Sequence, residues 1–344
     1  MRELLQDISS WFERGDRAAL ATVVSTWGSS PRPAGSMMAV SSDRKISGSV
    51  SGGCVEGAVI ETALKVLSGA PACLMHFGVS DENAWGVGLA CGGSIDVFVA
   101  PLSEADFQRI QRFVEAKLPF LTAIVIVGPE GLVGNRVIAQ AGQVGPVRDE
   151  LKPMVEWLEP RLDDLLAQAA PNRASIKNDP DFDIFINIFR PPERLVIVGG
   201  VHIAIALANL AQSIGYETIV IDPRRLFASE DRFSGIKELI QAWPQEALAD
   251  IDLTPSTAVV VLTHDPKIDD PALIAALASP AFYIGVLGSR KTHAARVKRL
   301  KKAGVTQTAI ARLHAPIGLD LGAQSPEEIA LATLAEIVAS KRRH

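Results

Sequence analysis

Apolar and polar positions change rhythm near the middle of the chain. In the first half, short apolar runs dominate: "LATVVST", "SMMAV", "KISGSV", "CLMHFG", "IDVFVAP" and "LTAIVIV". Runs of that length predict β-strands. Leu4, Leu5, Ile8, Trp11 and Phe12 recur at helical spacing and predict an amphipathic first helix, not the leader of a secreted chain. A helix is predicted after Cys54, with Val55, Val59, Ala63 and Val66 facing inward. Others are predicted over residues 103–116 and in "DELKPMVEWL". This half, residues 1–185, reads as an α+β domain.

A polar, proline-containing stretch, "AAPNRASIKND", and then Pro191 and Pro192 mark a break between residues 170 and 194. Beyond it, over residues 191–344, strands alternate with helices. "RLVIVGG", "YETIVID", "TAVVVLTH" and "FYIGVLG" read as strands, with "IKELIQ" and "ARLHAPIG" as shorter ones. Helices are predicted in "IAIALANLAQSIG", in "SRKTHAARVKRLKKAG", and from a cap at Asp270 with Pro271 at its first position. The last helix carries a capping box, with Ser325 as cap, Pro326 next and Glu328 reaching back. Such alternation predicts a Rossmann-like, doubly wound parallel sheet.

Composition narrows the function classes. Apolar residues make up 48% of 344 residues, enough for two cores. A net charge of -5, with no basic block beyond Lys341, Arg342 and Arg343, argues against nucleic acid as partner. No apolar run reaches membrane-spanning length. Three cysteines, with no CxxC and no HxxxH, disfavour a disulfide scaffold or a structural zinc site, and a reducing cytoplasm is the expected compartment.

The candidate chemistry sits in glycine-rich turns. Gly199 and Gly200 lie between a strand and a helix, and Asp222 closes the next strand 23 residues after Gly199. In dinucleotide folds an acid there takes ribose hydroxyls, while the helix N-terminus takes the pyrophosphate. Val201 stands at the second glycine position of the usual fingerprint and Ala204 at the third, so NAD(P) binding is only one of two readings; the other is a Rossmann-like domain without it. Further loops follow other strand ends: "THDPKIDD" offers His264 and Asp265, "GSRKTH" offers Gly288, Ser289, Arg290 and Lys291, and "PIGLDLGAQS" precedes the last helix. Ser289 as a cap with two cations beside it makes an anion site.

Cys54 follows Gly52 and Gly53 at a predicted helix start, where the helix dipole favours thiolate. Cys91, in "LACGGS", occupies a similar small-residue turn, whereas Cys73 lies in an apolar run and reads as core. Packing competes with chemistry for both glycine-flanked thiols. Glu56 and Glu61 read as solvated surface, His76 and His202 as structural or chemical alike, and Arg32 as an anion contact in a Pro/Gly loop.

Taken together, "STWGSSPRPAGSMMAV", "GSVSGGCVEGAVIETA", "FGVSDENAWGVGLACGGSIDVFVAP", "VIVGGVHIAIALANLA", "THDPKIDDPAL", "YIGVLGSRKTHAARVKRL" and "RLHAPIGLDLGAQSPEEIALATLAEIVA" resemble the XdhC/CoxI family, in order and over nearly the whole chain. Members are xanthine dehydrogenase accessory proteins. The resemblance implies a chaperone, not a turnover enzyme. It would bind the molybdenum cofactor, as molybdopterin or its dinucleotide form, support its sulfuration with a cysteine desulfurase, and deliver it to an apo molybdenum hydroxylase. It implies Cys54 as a molybdenum contact or sulfur contact and Cys91 as a second. Gly199, Gly200, Asp222, Ser289 and Arg290 would hold the cofactor's tail, with His202, His264 and Gly288 in the same loops. A homodimer is the expected assembly. The family often reads G-x-G-H where this chain has Gly199, Gly200, Val201 and His202, which sets a nicotinamide mode in doubt. The competing functions are an NAD(P)-dependent oxidoreductase and a thiol-based redox or ligand sensor.

Overall fold

The structure, a computed structural model, describes the chain apart from residues 31, 54, 79–92, 146, 169, 178–180, 234, 235, 237, 343 and 344. It divides into two units, Met1–Pro191 and Pro192–His344.

The first unit opens with α1 (Arg2–Glu13), followed by β1 (Ala18–Trp27), β2 (Met37–Ser41), β3 (Ile46–Gly48), α2 (Glu56–Leu67), β4 (Cys73–Phe77) and β5 (Ser94–Leu102). These five strands form an antiparallel sheet in the order β3-β2-β1-β5-β4. Next come α3 (Glu104–Glu115), β6 (Phe120–Val127), β7 (Arg136–Gln140), β8 (Gln143–Val144), α4 (Lys152–Leu158), α5 (Leu162–Ala167), β9 (Asn172–Ile176) and β10 (Phe182–Phe189). Their strands make a second antiparallel sheet, β8-β7-β6-β10-β9.

Alternation along β1 decides the layering, because neighbouring side chains point to opposite faces. Ala19, Ala21 and Val23 pack with Val59, Ala63 and Val66 of α2. Val24, on the other face, joins Phe98 and Ala100 of β5 against Ile124, Ile126 and Phe185 of the second sheet. Met154, Leu158, Leu162 and Leu165 of α4 and α5 cover that sheet's far side. The unit is therefore helix, sheet, sheet, helix. Its helices form because their apolar stripes have these faces to cover, at about 1.5–3 kcal/mol per fully buried large aliphatic side chain. The polar stretch that reads as a break in sequence holds β9, which pairs with β10 through Ile184↔Ala174. β10 pairs in turn with β6, so this unit's second sheet extends to Phe189, past the expected end at 185.

The second unit contains β11 (Arg194–Val198), α6 (His202–Ser213), β12 (Glu217–Ile221), β13 (Glu238–Ile240), α7 (Pro244–Asp250), β14 (Thr257–Val261), α8 (Pro266–Ala278), β15 (Tyr283–Val286), α9 (Arg290–Lys302), α10 (Gln307–Ile310), β16 (Leu313–His314) and α11 (Pro326–Arg342). All strand pairs are parallel, in the order β13-β12-β11-β14-β15-β16. Counted from β11, this is the doubly wound order 3-2-1-4-5-6, whose ligand crevice lies at the carboxyl ends of strands 1 and 4. Val196, Val198, Val259 and Val261 face one helical layer, and Leu195, Ile197, Ala258 and Val260 the other, so both faces are buried. Continuous apolar runs are the consequence.

Helix α8 starts earlier than expected. Asp265, not Asp270, is its cap and accepts the Lys267 N–H at 2.9 Å, with Pro266 in the first turn and Pro271 inside the helix. The buried stripe Ile268, Ala272, Leu273 and Ala276 begins before Pro271 and holds the helix through it. Ser325 and Glu328 form the expected capping box, with reciprocal N–H bonds of 3.2 and 3.0 Å.

Candidate functional site

Two regions carry the candidate chemistry, one in each unit. In the first, the chain between β3 and α2 folds around a carboxylate. Glu56 is the first residue of α2, where the helix dipole favours an anion. Its Oε1 accepts the Ser49 hydroxyl at 2.8 Å and the Ser51 N–H at 2.9 Å. Its Oε2 accepts the Gly53 N–H at 2.9 Å and the Ser51 hydroxyl. Ser49 Oγ accepts the Gly52 N–H at 2.9 Å, and Ser51 Oγ the Val55 N–H at 3.0 Å. Gly52 and Gly53 have φ of 76° and 121°, values that a side chain disfavours. Burial alone would raise the Glu56 carboxyl; the bonds from Ser51 and Ser49 outweigh it and hold the pKa at about 2, against an ordinary 4.5. Glu56 is therefore not solvated surface but the anchor of the turn on both sides of Cys54. The spacing Ser49, Ser51, Glu56 is the signal that could have revealed it.

Cys54 and Cys91 themselves lie outside the described residues, as do Asp81 and Glu82. Cys73 is partly buried in β4, and burial pushes its thiol pKa up. His76 Nδ1 lies 2.6 Å from Asp96 Oδ1 across the β4–β5 pair, and Arg32 is exposed. Among the described residues no group of three or more His, Cys, Asp or Glu is placed to hold a metal ion.

The second region is the carboxyl edge of the parallel sheet. Gly199 follows β11 with φ 106°, and a Cβ there would collide with the Thr263 methyl beyond β14. A Cβ on Gly200 would collide with the Phe227 carbonyl oxygen. Both glycines are thus required by the chain's own packing. Asp222 is fully buried, and its oxygens are filled. Oδ2 accepts the Gly200 N–H at 2.8 Å and Arg224 Nη2 at 2.7 Å; Oδ1 accepts Arg224 N–H and Nε, each at 2.9 Å. Burial would raise this carboxyl, but the Arg224 and Gly200 bonds bring it below its ordinary value. A carboxylate has about four acceptor positions. All four are used, so the expected ribose contact at Asp222 has no lone pair left to serve it. Arg224, which sequence reasoning passed over, also stacks on Phe227, 3.9 Å from the ring centroid.

The other edge residues fall as follows. His202 opens α6 and lies 3.7 Å from Glu327 at the start of α11. The N-terminus of α6 has no side-chain cap. His264 follows β14 with φ 65°, an uncommon conformation for a histidine. Gly288 has φ 141°, Ser289 caps α9 by accepting the Thr292 N–H at 3.2 Å, and exposed Arg290 and Lys291 occupy the first turn.

Beneath these loops lies a buried ion pair that the sequence did not disclose. Asp269 and Arg296 are 2% and 1% exposed and 3.6 Å apart. Thr263 donates to Asp269 at 2.6 Å, and Arg296 Nη2 to the Leu287 carbonyl at 2.9 Å. The pair so ties α8 and α9 to the loops after β14 and β15. Charged residues on a helix default to solvent, and nothing local in "HDPKIDD" separates Asp269 from its acidic neighbour Asp270, which pairs with Arg299.

A helix-clad double sheet thus makes up the first unit and a doubly wound sheet the second, with the Glu56-anchored turn in one and the glycine turns in the other. Residues 195–337 match the model of the XdhC Rossmann domain, and residues 11–78 that of the XdhC and CoxI family. The chain is 30% identical to the molybdenum cofactor insertion chaperone PaoD of Escherichia coli, over 96% of this chain and 85% of that protein. It is 28% identical to a Bacillus subtilis protein described as a probable component of xanthine dehydrogenase, over 98% and 97% of the two chains. A Bacillus halodurans crystal structure described as a xanthine dehydrogenase superposes with a TM-score of 0.79 at 25% identity, covering 99% of this chain and 96% of that one. The chain belongs to the XdhC and CoxI family.

Proposed function

We propose that this protein is an accessory factor that binds the molybdenum cofactor as cargo and delivers it to an apo molybdenum hydroxylase of the xanthine dehydrogenase type. The observation that carries the reading is the relationship to PaoD along nearly the whole chain. In this reading Cys54 supplies a soft thiolate to the metal end or to a transferred sulfur, and Cys91 a second. The turn anchored by Glu56 sets the backbone on either side of Cys54. Gly199, Gly200, His202, His264, Gly288, Ser289 and Arg290 belong to loops that take the phosphate-bearing tail, as molybdopterin or its dinucleotide. Helix N-termini and the Arg290 cation favour such an anion. Asp222 acts from behind, by fixing Gly200 and Arg224. Sulfuration with a cysteine desulfurase, a cytoplasmic setting and a homodimer complete the reading; no helix among the described residues is long and apolar enough to cross a membrane.

The test is reconstitution. Apo-hydroxylase is mixed with the protein purified from cofactor-producing cells, and hydroxylase activity is followed. Activation above that given by free cofactor supports delivery. Equal activation with and without the protein contradicts it.

A further inference from the structure

A cleft of about 840 Å³ opens in the first unit. Arg17, Ser68, Ser103, Asp106, Arg136 and Arg148 are among its walls. It meets α2 at its C-terminal end, whereas Cys54 precedes the N-terminal end. Twelve helical residues, roughly 18 Å, lie between. The cleft is therefore separate from the cysteine turn.

Arg136 is its unusual feature. The side chain, at the start of β7, is only 5% exposed. Among the described residues its ionic partner is Asp106, with 3.9 Å between Nη1 and Oδ2, beyond hydrogen-bond reach. The guanidinium makes no hydrogen bond among the described residues, although it carries five donors. A nearly buried cation with unspent donors on a cleft wall is costly unless something accepts them.

The surrounding charge favours an anion. Arg17 and Arg148 are exposed on the same cleft. Of the acids on its walls, Asp16 is engaged by Arg14 at 3.6 Å and by the Ser42 hydroxyl at 3.3 Å, and Glu104 accepts Gln108 at 3.2 Å. Glu104 and Asp106, both in the first turn of α3, stand against the three arginines, and Arg14 offsets Asp16, so the cleft keeps an excess of positive charge. The first turn of α3 lines the cleft with its cap Ser103, adding the positive end of a helix dipole. The closing carbonyls of α2 already accept the N–H groups of Ser68, Gly69 and Ala70.

We propose that this cleft binds a phosphomonoester on an organic body of about nucleotide size, with the Arg136 fork on the phosphate and Arg17 and Arg148 at the rim. A phosphomonoester brings about two negative charges, which suits more than one arginine better than a single carboxylate would. The volume lies within the range of small-molecule sites and far exceeds what a bare ion needs. This site goes beyond the cargo reading and does not depend on it.

The test is calorimetric titration of the full chain with GMP as probe, beside guanosine, inorganic phosphate and citrate. GMP is expected to saturate at one per chain, with guanosine at least about tenfold weaker. Arg136→Gln is expected to weaken GMP by about tenfold or more. The exposed pair Arg17→Ala/Arg148→Ala is expected to weaken it by about threefold and to flatten its salt dependence. Glu61→Ala, exposed on α2 and outside every region assigned to a ligand, is expected to leave GMP affinity unchanged. Absence of GMP binding at millimolar concentration overturns the proposal, as does equal affinity in wild type and folded Arg136→Gln. Citrate or inorganic phosphate binding as tightly as GMP overturns the ligand class. Should Arg136→Gln not fold, unchanged affinity in the rim double variant overturns the site.

Discussion

Ser49 and Glu56 are joined by a 2.8 Å hydrogen bond, and the six residues between them include Cys54. The contact ties the chain just after β3 to the first residue of α2. One carboxylate receives two hydroxyls and two N–H groups there, so the turn depends on a single charge.

Replacing Glu56 by Gln keeps the shape but turns an NH2 group toward donors. The folded-state pKa is depressed, so the charge stabilises the fold above the unfolded pKa, and that contribution is lost as pH falls from about 4.5 through about 2. Glu56 is partly exposed, which screens the effect to about 1–2 kcal/mol. Urea unfolding of wild type and Glu56→Gln should differ by that amount at pH 7, with the gap closing toward pH 2. A gap that persists unchanged at pH 2 would show that charge is not its source.

The filled acceptors of Asp222 predict that the second unit does not bind a nicotinamide dinucleotide through that carboxylate. Titration with NADH should produce no saturable change in nicotinamide fluorescence at micromolar concentration. Saturable binding abolished by Asp222→Asn would contradict the geometry.

Asp269 and Arg296 sit 3.6 Å apart and almost wholly buried. Arg296→Met alone strands a buried carboxylate and should cost about 3–5 kcal/mol. Asp269→Leu/Arg296→Met removes both charges and should recover much of that loss. A double-mutant cycle in urea measures the difference, and a single-variant loss below about 1 kcal/mol would mean that the pair is not a structural tie.

The doubly wound sheet was legible because its strands are buried on both faces and alternate with capped helices; Ser325, Ser289 and the apolar run at Leu195–Val198 announce it. The second antiparallel sheet was largely hidden. β9, with Asn172, Arg173 and Ser175, is mostly exposed, and its apolar alternation is reduced to Ala174 and Ile176, so its pairing with β10 is what defines it. Asp270 and Pro271 looked like a helix start, and the competing cap at Asp265 prevailed because the apolar stripe begins with Ile268. The glycine turns were visible as positions, but their uses were not. Whether Asp222 faces ribose or Arg224, and whether Glu56 faces water or two serines, depends on how the chain folds back on itself over a few residues. Arg136 and Arg296 were invisible for the opposite reason: their burial is set by elements distant in sequence.

The proposed cargo role requires that the protein carry molybdenum cofactor and that Cys54 contact it. The most direct measurement is molybdenum and pterin content per chain after anaerobic purification from cells that make the cofactor, for wild type, Cys54→Ala and Arg290→Ala. Near-stoichiometric pterin and molybdenum are expected in wild type, with loss in the folded Cys54→Ala protein and a reduction in Arg290→Ala. Wild type with neither pterin nor molybdenum, or a Cys54→Ala protein loaded as fully as wild type, would contradict the claim.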